Sequence, residues 1–308
     1  MSIIVFGSIN MDLTAYAPRL PRPGETLFGR SFITVPGGKG ANQAVAAARL
    51  GGDVHFVGRV GDDAFGHEVL ALVREQGVDM SAVMVTGDAR TALAVIAVDD
   101  RAENAIIVIS GANMTLDQQD VARCVWLLDG ARVVLLQQEV PHEANFAVAQ
   151  EAQRRGVSVI LDPAPARELP DEMFPLLDFI TPNELEAEAL VGFRPTDADS
   201  AAQAARMLRD RGVRAAIIKM GAQGAFFDSP DSTGFVPAFP VKAVDTVAAG
   251  DAFNGGLAVA LAQGYDIEQA VRRGAAAGAV AVTRPGAMPA MPYRHEVEQL
   301  LSEGTVTA

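Results

Sequence analysis

The sequence predicts a doubly wound α/β fold: a mainly parallel sheet with helices on both faces, accompanied by a small separate β-sheet. Three observations predict it. Beyond Asn113, short apolar runs alternate with segments of helical period, the pattern of βαβ units and of a sheet covered on both sides. The chain opens on an apolar run, residues 3–7, that ends in Gly-Ser, as a buried strand feeding a turn does. Finally, β-type segments at 26–35, 91–98 and 104–109 stand outside the alternation. Together they predict a small projecting sheet, from about 12–35 and 91–109, of the kind that serves as a lid. We read 1–308 as one domain of this type, with no internal repeat, low-complexity tract or long linker.

The elements follow in order. After the first strand, Asn10 and Asp12 stand where open α/β sheets bind ligands, although turn chemistry also favours such residues. Pro18, Pro21, Pro23 and Gly24 make a loop. Gly37-Gly38-Lys39-Gly40 precedes a helix marked by Ala41, Ala44, Val45 and Ala48 at helical spacing. A strand at 54–60 and a helix at 64–76 come next, then a hairpin pairing 91–98 with 104–109 around Asp99-Asp100-Arg101. The alternation runs through helix 117–128, strand 133–137, helix 142–154 and strands 157–161 and 179–181. It continues with helices 184–191 and 199–211 and strand 215–219. Short strands at 226–227 and 234–236, a buried helix through 257–262, helix 266–282 and a last helix near 293–302 complete the chain.

Composition limits the partners. A hydrophobic content of 49% over 308 residues supports a sizeable core. A net charge of −13 argues against nucleic acid or an anionic membrane surface as partner. Cys124 is the single cysteine, the four histidines lack metal-ligand spacing, and the N-terminal apolar run is too short for a secretion signal. We therefore expect a cytoplasmic protein.

Chemistry concentrates in residues 245–256. Ala248, Ala249 and Gly250 crowd together ahead of a run that is apolar on every side, so a buried helix starts in a small-residue turn. Free N–H groups and the dipole there attract a phosphate or a developing oxyanion. Asp251 in the first turn either complements the dipole or accepts a proton from a hydroxyl beside the anion pocket. Pocket plus base is the minimal equipment for moving a phosphoryl group onto an alcohol. The loop at 37–40 is not a Walker A sequence, since Ile33 and Gly40 occupy its glycine and hydroxyl positions. It fits either a grip on a polyhydroxylated substrate through Lys39 and Asn42 or a plain glycine turn. Glu139 and Asn183 follow strand ends. Asn183 and Glu186 fit a hydrated Mg²⁺ near phosphates or, equally, a helix cap. Gly221 to Gly224 could carry the backbone close to a nucleotide.

From Val5 to about Pro292 the chain resembles the ribokinase, or PfkB, family of sugar kinases. Gly37-Gly38-Lys39-Gly40-Ala41-Asn42-Gln43 is similar to its N-terminal signature, and the run from Asp245 to Gly255 is similar to its C-terminal one. Asp162-Pro163-Ala164-Pro165-Ala166 and Thr181-Pro182-Asn183-Glu184 resemble the ribokinase branch of that family. The resemblance implies transfer of phosphate from ATP to O5 of D-ribose. Another small polyol (a nucleoside, deoxyribose or a sugar acid) is the alternative substrate, and a non-catalytic sugar-binding module is the alternative role. It implies Asp251 as general base, with Ala248, Ala249 and Gly250 as the anion hole. Asn10, Asp12, Gly38, Lys39, Gly40, Asn42 and Glu139 would hold the sugar. Asn183, Lys219, Gly221, Gly224 and Gly250 would hold the nucleotide, with Glu186 near Mg²⁺, through water. An activating K⁺ would sit at Asp245, Val247, Ala281, Arg284, Gly286 and Ala290, although Ala290 stands where a hydroxyl is common. Lys219 departs from the threonine common at its position, and Met11 from alanine. The family also implies a homodimer joined through the small sheets.

Overall fold

Ile3, Ile4, Val5 and Phe6 are buried on both faces of β1 (Ser2–Phe6), and that double burial sets the layout of the molecule. In the computed structural model, which describes residues 2–101 and 103–303, β1 lies inside a nine-stranded sheet. Met1, Ala102 and residues 304–308, part of the expected 1–308 span, lie outside the described residues. On one side β1 pairs with β4 (Asp53–Gly61), which pairs with β5 (Asp79–Thr86). On the other side come β8 (Ala131–Gln137), β9 (Ser158–Asp162), β10 (Phe179–Ile180) and β11 (Ala215–Lys219). All these pairings are parallel; β12 (Gly224–Asp228) and β13 (Thr233–Pro237) extend that edge antiparallel. Strand order reverses direction between β1 and β8, which opens a crevice at their carboxyl ends.

Helices cover both faces. One core unites β1 and β4 with α1 (Lys39–Arg49), α2 (Ala64–Glu75), α7 (Ala249–Ala262) and α8 (Ile267–Ala281). The other joins α3 (Gln118–Leu128), α4 (His142–Arg154) and α6 (Ala198–Asp210) to the opposite face. The short α5 (Glu184–Val191) and the last helix, α9 (Arg294–Glu303), complete the set. Side-chain caps close several helix starts. Asp63, Asp117, Asp197 and Asp266 accept backbone N–H groups at the starts of α2, α3, α6 and α8. Gly38 and Ala248, which precede α1 and α7, supply no capping side chain. At α1 the first N–H groups go instead to Glu139 and Ser8, and at α7 that of Ala249 goes to Thr246 O, so among the described residues the N–H groups of Gly250 and Asp251 are the ones open to a ligand.

A second sheet has the order β3-β2-β6-β7, from β2 (Asn10–Tyr16), β3 (Ser31–Gly37), β6 (Ala92–Val98) and β7 (Asn104–Ile109). The hairpin read at 91–109 is the antiparallel β6–β7 pair. Two strands escape the sequence reading. Asn10 and Asp12 lie within β2, whose partners β3 and β6 are far along the chain, rather than in a turn after β1. β5, with the apolar run Ala82-Val83-Met84-Val85, is the second, and it pairs with β4. The β segment expected from residue 26 begins at Ser31, after the proline loop.

Candidate active site

The crevice is built first by close backbone approach. A Cβ on Gly40 would lie 2.7 Å from Ser8 N and O, so only glycine lets α1 begin against the end of β1. Gly38 has φ 90°, a left-handed conformation that favours glycine. With the helix this close, Ser8 Oγ accepts the Gly40 N–H at 3.2 Å and donates to Glu139 Oε2 at 2.5 Å. The same Glu139 oxygen accepts the Lys39 N–H at 3.0 Å. Asn10 is buried; its Oδ1 accepts from Asn113 Nδ2 at 2.8 Å, and Asn113 Oδ1 accepts the Ile9 N–H at 3.1 Å. Asp12 sits beside Gly37, where any Cβ would collide with its carboxylate. Burial lifts Asp12 to about 6, helped by the charges of Glu139 and Asp251. These groups, with Lys39, gather around one polar corner.

Asp251 stands beside that corner, in the first turn of α7. Ala248, just before it, has φ 57° and is the one non-glycine residue with positive φ among the described residues. An alanine held there costs about 1–2 kcal/mol, and strain of this kind gathers at functional turns. Asn42 Nδ2 donates to Asp251 Oδ2 and Gln43 Nε2 to Asp251 Oδ1, each at 3.1 Å. Burial raises Asp251 to about 6 against the lowering pull of Lys39, with Asp162 adding to the rise. Burial disfavours the charge of Lys39, yet Asp251, Asp162, Glu139 and Glu186 together hold its pKa above the ordinary lysine value. Asn42 Oδ1 is buried and has no partner among the described residues, an acceptor left open for a donor such as a hydroxyl.

On the other side of Asp251 lies a cavity of about 790 Å³. Lys39, Asp162, Asn183, Lys219, Gly250 and Asp251 are on its wall. Gly221 and Gly224 line it as well, after the end of β11. Asn183 caps α5: its Oδ1 accepts from Leu185 N and Glu186 N, while the two Glu186 oxygens accept from Asn183 N and Nδ2 at 2.8 and 2.9 Å. Burial raises the pKa of Glu186 even with Lys219 nearby. The cap and the cavity wall are thus the same residues, so the two readings of this pair are compatible. No group of three or more His, Cys, Asp or Glu side chains among the described residues could hold a metal by itself.

Behind Ala248, the carboxylate of Asp245 ties two loops together, accepting Val247 N–H at 3.0 Å and Gly286 N–H at 2.9 Å. Ala281 and Ala290 are buried nearby in sequence, and Ala290 brings only a methyl group. Sequence reasoning missed Ser8, Gln43, Asn113, Gln137 and the contacts of Asp162. Gln43 donates to Asp162 Oδ2 at 2.9 Å as well as to Asp251, and accepts from Gln137 Nε2 at 2.9 Å. A glutamine beside Asn42 in the apolar stripe of α1 was the available signal.

No helix among the described residues is long and apolar enough to cross a membrane. The model of the pfkB family carbohydrate kinases matches residues 1–294. The chain is 40% identical to a ribokinase of Haemophilus influenzae, over 97% of this chain and 98% of that one. It is 37% identical to a deoxyribokinase of Salmonella typhimurium, over 98% and 99%. It superposes on the structure of Arabidopsis thaliana ribokinase complexed with ribose and ATP at a TM-score of 0.91, with 33% identity over 97% and 98% of the two chains.

Proposed function

This chain belongs to the pfkB family of carbohydrate kinases, and from that premise we propose that it transfers the terminal phosphoryl group of ATP to O5 of D-ribose, giving ribose 5-phosphate and ADP. The observation that carries the reading is Asp251: a buried carboxylate beside the uncapped N-terminus of α7, between a polar corner and a large cavity. In the transfer, the bond from O5 to the γ-phosphorus forms while the bond from that phosphorus to the β–γ bridging oxygen breaks. The O5 proton passes to Asp251, which Asn42 and Gln43 hold in place. Ala248, Ala249 and Gly250 form the anion hole, whose backbone meets the charge on the transferred oxygens. Asn10, Asp12, Gly38, Lys39, Gly40, Asn42 and Glu139 hold the sugar; the open Asn42 Oδ1 supports a hydroxyl there. Asn183, Lys219, Gly221, Gly224 and Gly250 hold the nucleotide.

Mg²⁺ bound with ATP neutralises phosphate charge. Both Glu186 oxygens are already engaged by Asn183, so Glu186 would reach it through water, which suits an ion that keeps several waters. Asp245 with backbone carbonyls of Val247, Ala281, Arg284 and Gly286 is an all-oxygen set of the type hard cations take, and would hold K⁺ to order the loop leading to Ala248. The methyl of Ala290 supplies no donor to it. The second sheet acts as a lid over the sugar, two chains join through these sheets, and the enzyme works in the cytoplasm.

The deoxyribokinase relative favours a second reading, with 2-deoxyribose as acceptor. Release of ADP measured over ribose, 2-deoxyribose, nucleosides and sugar acids tests both, with the phosphorylated position read by NMR. Preference for ribose upholds the first reading, preference for 2-deoxyribose the second. Turnover of neither removes both.

A further inference from the structure

We propose that Lys219 is a catalytic residue of this chain: its ammonium, tethered by Asp162, neutralises the phosphoryl group as it leaves ATP for the sugar. The inference rests on the kinase reading above and assigns this lysine's side chain a role in the chemical step.

Lys219 ends β11 and its side chain reaches back across β10 to the end of β9, where Nζ meets Asp162 Oδ1 at 3.0 Å. Asp162 is its hydrogen-bond partner among the described residues, which leaves ammonium hydrogens uncommitted. The pair is not sealed in the core. The Lys219 side chain is 12% exposed and Asp162 2%, and both border the 790 Å³ cavity that Gly250 and Asp251 also border. Gly250 fixes where the ammonium points. A Cβ on Gly250 would find Lys219 Nζ at 3.3 Å. The cation therefore lies against the first turn of α7, on the open side of the N–H groups assigned to the anion pocket.

Asp162 links this cation to the base. Its second oxygen accepts from Gln43 Nε2, and the same nitrogen donates to Asp251 Oδ1. Lys219, Asp162, Gln43 and Asp251 thus form one hydrogen-bonded chain with a cation at one end and the proton acceptor at the other. A phosphoryl group in flight carries negative charge on three oxygens and must pass between those ends. Backbone N–H groups offer partial charges; an ammonium offers a whole one. Lys39, the other buried cation here, interacts with four carboxylates, Asp251, Asp162, Glu139 and Glu186, whereas Lys219 interacts with two, Asp162 and Glu186. As a purely structural element the pair has little justification, because buried ion pairs add little net stability.

The test compares Lys219→Met, Lys219→Arg and the double variant Lys219→Met with Asp162→Asn, which removes both charges and leaves no orphaned carboxylate. Binding of ATP and of ADP is measured calorimetrically without sugar, and kcat with it. A lost charge-assisted contact to the γ-phosphate weakens ATP binding about tenfold or more. ADP binding should then stay within about threefold, kcat should fall about a hundredfold, and arginine should recover part of both. The double variant should keep the ATP defect. If it binds ATP and ADP with the wild-type ratio and turns over at the wild-type rate, Lys219 is a structural partner of Asp162 and the proposal falls. A wild-type protein that never phosphorylates ribose would remove the ribose reading without changing the contrast between variant and wild type. The contrast is read without sugar, so it upholds or removes the Lys219 role whatever the acceptor proves to be.

Discussion

Asn42 donates its side-chain amide to Asp251 Oδ2 at 3.1 Å across 209 residues of chain. The contact joins the first turns of α1 and α7, two helices whose own N-cap residues, Gly38 and Ala248, supply no capping side chain. The helix behind the glycine loop thereby aims the carboxylate of the other. On the proposed reading, ligand recognition and proton transfer would be coupled by geometry, because a shift of α1 on binding would be felt at Asp251.

Replacing Asp251 with asparagine keeps the volume and removes the proton acceptor. We expect kcat to fall by about 10²–10⁴, the usual range for a general base, with ribose and ATP binding changed only a few-fold. Steady-state rates beside calorimetric binding check this. Near-normal turnover would remove Asp251 from its role.

The pH profile should carry the same signature. Burial raises Asp251 and Asp12 to about 6, and Asp251 must be ionised to accept a proton. Activity should therefore be flat above about pH 7 and fall as pH drops through about 6. The midpoint belongs to the interacting carboxylates together, since each charge disfavours the other. In Asp12→Asn the midpoint should move down, because one neighbouring negative charge is gone. An acid limb centred near the ordinary aspartate value, below 4, would contradict the burial of the base.

Gly40→Ala tests close approach. The added Cβ meets Ser8 backbone at 2.7 Å, and backbone cannot swing aside. The start of α1 must move, at a cost of about 1–3 kcal/mol in stability as in other overpacked sites. The KM for sugar should rise more than the KM for ATP, because the displaced groups are Lys39 and Asn42. Thermal melts and substrate titrations report the two effects.

Exchanging K⁺ for tetramethylammonium should lower activity, since the large ion cannot replace small all-oxygen coordination at Asp245. Asp245→Ala should be slow in either salt, because it also frees the Val247 and Gly286 N–H groups it binds. Equal rates of the wild type in both salts would show that the loop is ordered without a cation.

The outer strand of the second sheet predicts association. β7 is exposed along its length, with Ile106, Ile107, Val108 and Ile109 between 49% and 65% accessible. An apolar edge strand of this kind is ordinarily covered. Sedimentation should give a dimer for the wild type and a monomer for Ile107→Lys, whose charge would be trapped in the interface. A wild-type monomer at micromolar concentration would end the dimer reading.

Local patterns made much of this molecule readable. The glycine loop announced α1, the small-residue turn announced α7, and the alternation after Asn113 announced the parallel sheet. The first two signals are each confined to a short stretch of chain. What stayed hidden depends on partners far along the chain. β2 mixes polar and apolar residues and exists because β3 and β6 flank it. Asn113 matters through Asn10 and Ile9, over a hundred residues earlier. Lys219 read as a departure at a nucleotide loop. Its meaning comes from Asp162, 57 residues away and two strands across.

Because β1 sits between β4 and β8, it has to wait during synthesis for the second of its neighbours. β4 follows soon, but β8 begins only at Ala131. At ordinary synthesis speeds that delay is on the order of ten seconds. Throughout it, Ile3 to Phe6 present an uncharged, unpaired border to the cell. Slow codons placed between β4 and β8 should therefore lower the yield of folded enzyme without altering a single amino acid.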